Sequence, residues 1–209
     1  MMDSETLAMF IVASTALGFA PGPDNIFVLT QSMVNGRAAG MRITLGLCTG
    51  LLVHTTIVAL GVSVIFRTSP LAFNALKYCG AIYLLFLAWN AFRASSSGLD
   101  PGDKPRLGPW QLYRRGIIMN ITNPKVSIFF MAFLPQFTSP AAGSITQQLI
   151  LLGFIFILVT IVVFGLIGQL AGTIGKWLAR SERGEKALNI VAGVVFVSLA
   201  LKLVLTGQS

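Results

Sequence analysis

Two uncharged stretches of this chain are too long to be the core of a soluble domain. Residues Ile43 to Phe66 include no Asp, Glu, Lys or Arg over 24 positions, and Val126 to Gly175 include none over 50. A helix needs about 20 apolar residues to cross the hydrocarbon core of a bilayer, so the longer stretch must contain parts of two spans. Because 55% of the 209 residues are hydrophobic and only 11% are charged, the sequence predicts an all-α integral membrane protein.

Six transmembrane helices are predicted, separated by short polar loops and one longer linker. Their bounds are Thr6 to Ser32, Ala39 to Phe66, Leu71 to Phe92, Gly116 to Phe137, Ile145 to Gly172 and Ala187 to Leu205. The linker, residues 93–115, is rich in Ser, Gly, Pro and charged residues, and it divides three spans from three. We therefore expect one transmembrane domain over residues 1–209, built from a three-helix unit at 1–92 and a second at 116–209.

The two halves of the chain resemble each other. Residues 75–83 of span three parallel residues 187–195 of span six with one gap, and each half opens with a span that contains proline. Two consecutive units with an odd number of spans must have opposite orientations in the membrane. The sequence therefore predicts an inverted repeat of three helices plus three helices.

The basic residues predict how the chain is oriented. Loops one, three and five carry 11 Lys or Arg residues, whereas the other side carries only Arg67, Lys77 and Lys202. Because loops rich in Lys and Arg stay on the cytoplasmic side, we expect both termini to lie outside the cytoplasm. This arrangement also accounts for the formal net charge of +8, so nucleic acid is not an expected partner.

The first span contains a helix-breaking motif that includes an acidic residue. Residues 20–25 read Ala-Pro-Gly-Pro-Asp-Asn. Pro21 and Pro23 lack backbone donors and Gly22 eases unwinding, so nearby carbonyls lose their helical partners. Asp24 could cap the helix that restarts there, or it could line a transport pathway, since irregular backbone at membrane depth needs protein or water around it.

The fourth span contains a second break with a basic residue. On an unbroken helix Asn123 and Lys125 would point about 200° apart, so both can line one cavity only if Pro124 disrupts the turn. Lys125 is then expected to face the bundle interior, near Asp24 or near a bound carboxylate. The alternative is that its long stem reaches the cytoplasmic interface.

Three other residues have competing interpretations. His54, the only histidine, lies in the middle of span two, where it could relay protons or bond to a neighbouring carbonyl while neutral. Cys48 and Cys79 lie in predicted spans and could form a membrane thiol-disulfide conduit, although nothing beside either thiol suggests a lowered pKa.

The motifs at the two breaks resemble those of the LysE-type amino-acid exporters, and most closely the branch that includes threonine, homoserine and leucine exporters. The matching segments are residues 18–25 (Gly-Phe-Ala-Pro-Gly-Pro-Asp-Asn), residues 120–125 (Asn-Ile-Thr-Asn-Pro-Lys) and residues 78–84 (Tyr-Cys-Gly-Ala-Ile-Tyr-Leu). The resemblance covers essentially the whole chain. It implies a multi-pass exporter of amino acids in the bacterial inner membrane, driven by the proton gradient and able to form a homodimer.

We therefore predict a secondary transporter, not an enzyme, that binds its substrate between spans one and four. Asp24 is the only acid inside the predicted spans, and a lysine-like substrate would need a second one, so small neutral amino acids are favoured. The candidate substrate-binding residues are Pro21, Gly22, Pro23, Asp24, Asn25, Asn120, Asn123, Pro124 and Lys125. Asp24 and His54 are the candidates for proton coupling.

The expected partners are the amino acid, protons and the lipid bilayer, with no cofactor and no resident metal. A cation exporter with oxygen ligands around Asp24 is the nearer alternative function.

Overall fold

The structure is a computed structural model, and it describes residues 2–68, 70–93, 107–171 and 182–205. In these ranges the chain forms eight α-helices and no strand. They are α1 (Ser4–Phe19), α2 (Pro23–Asn35), α3 (Arg37–Thr68), α4 (Pro70–Arg93), α5 (Pro109–Thr122), α6 (Pro124–Ile128), α7 (Ile145–Gln169) and α8 (Glu182–Leu205). A π-helical turn (Phe129–Phe133) and two 3₁₀ turns (Leu134–Phe137 and Pro140–Ala142) connect α6 to α7. The predicted all-α class is confirmed.

Two helices in the described part of the chain are long and apolar enough to cross a membrane by themselves. They are Arg37–Gly61 within α3 and Ile145–Gln169, which is α7. Two bent pairs also qualify when each pair is counted as one span, which gives up to four spans. Helices α4 and α8 each have 24 residues, about 36 Å at 1.5 Å per residue. Neither is among these candidate spans, although Asn189–Leu205 of α8 is a shorter apolar segment. The count of six spans and the inverted repeat therefore stay predictions.

Both bent pairs are broken at the predicted proline motifs. Helices α1 and α2 meet at 60°, and α5 meets the segment Pro124–Phe137 at 51°. At 1.5 Å per residue α1 is about 24 Å long, which is shorter than a hydrocarbon core of about 30 Å, so α1 alone does not cross it. The breaks in spans one and four are thus features of the fold itself.

Helix α5 begins seven residues before the predicted start of span four, so the end of the predicted linker is helical. The Gly108 amide donates to Gln111 Oε1 at 2.9 Å, and Pro109 occupies the first helical position, where its missing donor costs nothing. The rings of Trp110 and Tyr113 pack with their centroids 5.5 Å apart. These local contacts extend the helix beyond the apolar stretch that the hydropathy pattern detects.

Glycines allow the central helices to approach closely. Helix α3 packs on both α5 and α7, while α4 packs on α8. A Cβ atom added to Gly116 of α5 would lie 2.5 Å from the Ile43 carbonyl oxygen of α3, and one added to Gly40 would lie 3.4 Å from Gly168 Cα of α7. Helix α3 therefore contacts both neighbours backbone to backbone.

Two apolar clusters form the core. The first combines α1 with the segment after Pro124 and contains six packed rings, with neighbouring centroids 4.9 to 6.4 Å apart: Phe10, Phe129, Phe130, Phe133, Phe137 and Phe156. The second combines α2 and α5 with the first half of α3 and the second half of α7. Each break therefore separates a helix of one cluster from a helix of the other: α1 from α2 at the first break, and α5 from the segment after Pro124 at the second.

Candidate functional site

The first break leaves the last carbonyls of α1 without helical partners. Pro21 and Pro23 have no N–H to offer to the Leu17 and Phe19 carbonyls four residues earlier. The backbone turns away at Ala20, whose φ is −58° and ψ 123°. Side chains supply donors in place of the helix: Asn25 Nδ2 donates to the Gly18 carbonyl at 2.7 Å.

The second break is joined to the first by a buried amide. Asn123 has extended backbone, with φ −76° and ψ 108°, and its Oδ1 caps α6 by accepting from the Lys125 amide at 3.0 Å. Its Nδ2 donates to Asp24 Oδ2 at 2.9 Å. Asn123 and Asp24 are each 4% exposed. A single asparagine thus restarts one broken helix and holds the carboxylate of the other.

Lys125 points into the bundle and not toward the membrane surface. Its side chain is buried, and its Nζ donates to the Ala20 carbonyl at 3.0 Å and to the Leu17 carbonyl at 3.3 Å. A Cβ atom at Gly22 would lie 3.0 Å from this Nζ. The ammonium therefore gives the Leu17 carbonyl the donor that Pro21 lacks, and it also pairs the Ala20 carbonyl at the break. The absence of a side chain at Gly22 leaves room for the ammonium.

His54 and Asn120 extend the centre to α3. His54 Nε2 lies 3.2 Å from the Asn120 carbonyl oxygen, which also accepts from the Asn123 amide at 3.1 Å. The Asn120 side chain packs on Gly50, where an added Cβ would lie 2.7 Å from Asn120 Oδ1. His54 therefore contacts the carbonyl of the break, as one of the two interpretations expected.

Several buried oxygens in the described residues have no hydrogen-bond partner. They are Asp24 Oδ1, Asn25 Oδ1, Asn120 Oδ1, Ser14 Oγ and Ser32 Oγ. Unpartnered buried polar atoms are uncommon in native structures and call for a specific explanation. Three of these five belong to the centre at the two breaks: one carboxyl oxygen and two amide oxygens.

The structure thus places most of the predicted site residues in one buried centre. Asp24, Asn25, Asn123 and Lys125 are linked by hydrogen bonds within or across the two breaks, and Asn120 joins through its carbonyl. Gly22 shapes the centre, and Pro21, Pro23 and Pro124 create the irregular backbone. The sequence interpretation missed the Leu17 and Gly18 carbonyls as acceptors, and it did not place Gly50 at this centre. The four-residue spacing between Gly50 and His54, which puts both on one helix face, was the available signal.

The residues that a thiol-disulfide conduit or a cation exporter would need are less closely grouped than those of this centre. Cys48 is buried, Cys79 is exposed, and both are free thiols. No three His, Cys, Asp or Glu residues come close enough to hold a metal ion in the described ranges. A cation at the centre would depend on carbonyl and amide oxygens beside Asp24.

A separate cavity of about 260 Å³ opens at the other end of α1, lined in part by Asp3, Thr6, Phe137 and Gln148. Asp3 caps α1: its Oδ1 accepts from the Thr6 amide at 2.6 Å and its Oδ2 from the Thr6 hydroxyl at 3.0 Å. These bonds hold the pKa of Asp3 below its usual range. Farther along α1 the Phe10 ring packs on Phe137, with centroids 5.1 Å apart. Aromatic rings therefore lie between the cavity and the break.

Comparisons with known proteins match nearly the whole chain. Residues 15–207 match the family described as LysE type translocator. The chain is 35% identical over 200 residues to the homoserine/homoserine lactone efflux protein of Salmonella typhimurium, and 34% identical to that of Salmonella typhi, covering 94% of each chain. It is also 30% identical over 206 residues to the uncharacterized membrane protein YrhP of Bacillus subtilis, covering 94% of this chain and 97% of that one. No solved structure matches the chain.

Proposed function

The chain belongs to the LysE type translocator family, and we propose that it is a secondary transporter that exports small neutral amino acids across the bacterial inner membrane. The family description and the names of two relatives describe translocation and efflux, not catalysis. The same names support homoserine-like amino acids as the substrate class. The long apolar helices support a multi-pass membrane protein.

The observation that carries this proposal is the buried polar bridge between two broken helices. Asn123 Nδ2 donates to Asp24 Oδ2 at 2.9 Å, and Lys125 donates to the carbonyl end of α1. A charged side chain at the bilayer centre costs about 2.5 to 3.5 kcal/mol on insertion scales, so such residues mark substrate or ion pathways. Discontinuous helices that meet at membrane depth form the substrate sites of many secondary transporters.

A small neutral amino acid fits the charges of this centre. Asp24 is the only acid within the predicted spans, and it would attract one ammonium group. A lysine-like substrate would bring a second ammonium for which the spans offer no acid. We propose that the substrate ammonium lies beside Asp24 and that the side chain of the substrate stays small and uncharged.

Proton coupling is the second part of the proposal. Moving one charge through about 100 mV is worth roughly 2.3 kcal/mol, which supports a gradient of about fifty-fold at 1.4 kcal/mol per tenfold. That is sufficient for an exporter that relieves excess amino acid. Asp24 and His54 are the two groups of the centre that could carry the proton.

We further propose that two copies of the chain form a homodimer.

Transport by purified protein in proteoliposomes tests the function. We expect uptake or exchange of labelled homoserine, threonine or leucine, with lysine and glutamate at least about tenfold slower because each adds an unpaired charge. Protein-free liposomes are the control. Preference for lysine or glutamate, or transport of none of the five, would refute the proposed substrate class.

The coupling residue can be identified in the same liposomes. Asp24→Asn and His54→Gln each remove one titratable group and keep a similar shape. The variant that still exchanges substrate between equal pools, but no longer accumulates it with a pH gradient, has lost the proton carrier. Accumulation by the unmodified protein that does not respond to the pH gradient would contradict proton coupling.

A further inference from the structure

A row of aromatic rings leads from the buried centre to the cavity at the start of α1. The imidazole of His54, which contacts the second break, packs on the Phe130 ring with centroids 5.6 Å apart. The Phe129 ring lies next, 6.3 Å from Phe130 and 4.9 Å from Phe133. Phe133 in turn packs on Phe137 at 5.0 Å, and Phe137 lines the cavity. An unbroken series of ring contacts therefore connects the centre with the cavity.

The buried face of α1 runs beside this row and contains one polar side chain. Phe10, Ser14 and Leu17 are buried and have the spacing of a single helix face. Phe10 packs on Phe137 near the cavity, whereas the Leu17 carbonyl accepts from Lys125 at the centre. Ser14 lies between them, fully buried, and its hydroxyl has no hydrogen-bond partner among the described residues. Water or a polar solute that passed along this face would supply the missing partner.

The two sides of the centre are closed by different kinds of contact. Toward α2 and α5 the helices meet through their backbones: a Cβ atom at Gly116 would lie 2.5 Å from the Ile43 carbonyl oxygen. Such a contact opens only if a whole helix moves. Toward the start of α1 the closing groups are phenylalanine rings, which can turn about their side-chain bonds. Several of these rings lie on the π-helical turn Phe129–Phe133, and π-helical turns are frequent at functional sites.

We propose that the substrate passes between the centre and the cavity along the buried face of α1, past Ser14. The rings of Phe10, Phe133 and Phe137 are the gate of this route, and the gate is closed in the structure. This inference rests on the proposed function, because it takes the centre as the substrate site. The predicted topology puts the cavity outside the cytoplasm, which makes the ring cluster the exit gate of an exporter.

Thiol labelling of the full chain tests the route. Single cysteines are introduced into a thiol-free background, Cys48→Ala with Cys79→Ala. A membrane-impermeant methanethiosulfonate reagent is then added to sealed membrane vesicles of either orientation. Ala141→Cys lies at the exposed rim of the cavity and identifies the vesicles in which the reagent reaches that side. Ser14→Cys changes one atom and reports on the route behind the rings.

We expect Ser14→Cys to react in the same vesicles as Ala141→Cys, but at least about tenfold more slowly, because the rings must open first. Adding Phe137→Leu, which removes the ring nearest the cavity, should raise the labelling rate of Ser14→Cys at least about tenfold. Phe154→Leu changes an exposed ring of α7 and should leave that rate unaltered. The inference is refuted if Ser14→Cys does not react in these vesicles, or if Phe137→Leu and Phe154→Leu have the same effect.

Val12→Cys controls for general exposure of α1. Val12 lies on the exposed face of that helix, where lipid is expected to exclude a charged reagent. We expect no labelling of Val12→Cys in vesicles of either orientation. Reaction as fast as that of Ser14→Cys would show that water reaches α1 from every side, and a route along one face would then be wrong.

Transport by the labelled protein separates this inference from the proposed function. If Ser14→Cys is labelled past the rings but the unlabelled protein transports no amino acid, amino-acid export fails while the gated route stands. If amino acids are transported and labelling of Ser14→Cys does not slow them, export stands and the route past Ser14 is refuted.

Discussion

Lys125 is the residue that best shows how the two halves depend on each other. It lies in α6, yet its ammonium completes the carbonyl end of α1, which also carries the negative end of the helix dipole. The pairing is buried inside the bundle, where Lys125 is only 8% exposed. A cationic side chain from the second half is therefore a structural part of the first broken helix.

Replacing Lys125 by Met should reduce both stability and transport. Met keeps the apolar stem but leaves the Ala20 and Leu17 carbonyls unpaired, at a cost of about 1 to 3 kcal/mol per buried group. We expect a lower thermal unfolding temperature in detergent and at least tenfold slower export, since the break would lose its shape. Lys186→Met changes an exposed lysine of α8 and serves as the matched control. Equal behaviour of the two variants would mean that Lys125 acts neither on the break nor on transport.

Gly22 tests the same contact from the other side. A Cβ atom there would lie 3.0 Å from Lys125 Nζ, so Gly22→Ala should displace the ammonium by a few tenths of an ångström. The backbone at Gly22 is extended, with φ −169°, so alanine adds no backbone strain. We expect slower export with a loss of stability near 1 kcal/mol, because one contact is crowded and none is removed.

The control for Gly22 is Gly61→Ala in α3. A Cβ atom at Gly61 would have no neighbour within 4 Å, and alanine favours the helix by up to about 1 kcal/mol. Export by Gly61→Ala should match the unmodified protein. Full export by Gly22→Ala would show that the tight space around Lys125 has no functional role.

At the level of the helices, the crossing of α3 and α5 fixes where the second break lies. Gly116 and Gly46 let the two backbones touch, and Gly50 then receives the Asn120 side chain one turn farther along α3. This close approach brings His54 within 3.2 Å of the Asn120 carbonyl. The position of the centre therefore depends on glycines, which have no polar side-chain group of their own.

Gly116→Ala should disturb this crossing more than a typical surface change. The added Cβ would lie 2.5 Å from the Ile43 carbonyl oxygen and 3.1 Å from Gly46 Cα, both backbone atoms that cannot rotate away. Overpacking of this kind costs about 1 to 3 kcal/mol. Gly165→Ala in α7 is the control, because its nearest neighbour would be Met41 Cε at 3.9 Å. Thermal unfolding of the two variants in detergent gives the comparison, and equal stability would contradict the backbone contact.

At the level of the whole molecule, the helix pairs follow the order that an inverted repeat would produce. Helix α3 packs on α7, and α4 packs on α8, so the second and third predicted spans each meet their counterparts in the other half. The first and fourth meet through Asp24 and Asn123. An axis that exchanges the halves would generate these pairs. The repeat itself stays a prediction.

Topology follows from the repeat and from the basic loops, and it can be measured directly. A reporter fused after Ser209 should be active outside the cytoplasm, whereas one inserted near Gly98 should be active inside. The physical reason is that 11 Lys or Arg residues lie in the loops on one side against three on the other. If the insertion near Gly98 is active inside, a cytoplasmic carboxyl terminus would leave an even number of spans after the linker and would end the three-plus-three description.

The helical class and the two breaks could be predicted from the sequence, because their causes are local. Proline removes a donor wherever it stands, and an apolar stretch of 50 residues without charge needs a membrane whatever its neighbours are. The start of α5 could not be placed as well, since a glycine cap and a glutamine extend that helix into polar sequence.

The partners of the buried groups were decided only by the tertiary structure. The sequence allowed Lys125 to reach the membrane surface, to pair with Asp24 or to await a carboxylate, and its observed acceptors lie 105 and 108 residues away. Asp24 and Asn123 are 99 residues apart, and His54 and Asn120 are 66 apart. Such contacts depend on how closely two helices cross and at which angle. Helix crossing is set by packing along whole elements, so the residue types at the two breaks identify a polar centre but do not say which atoms within it meet.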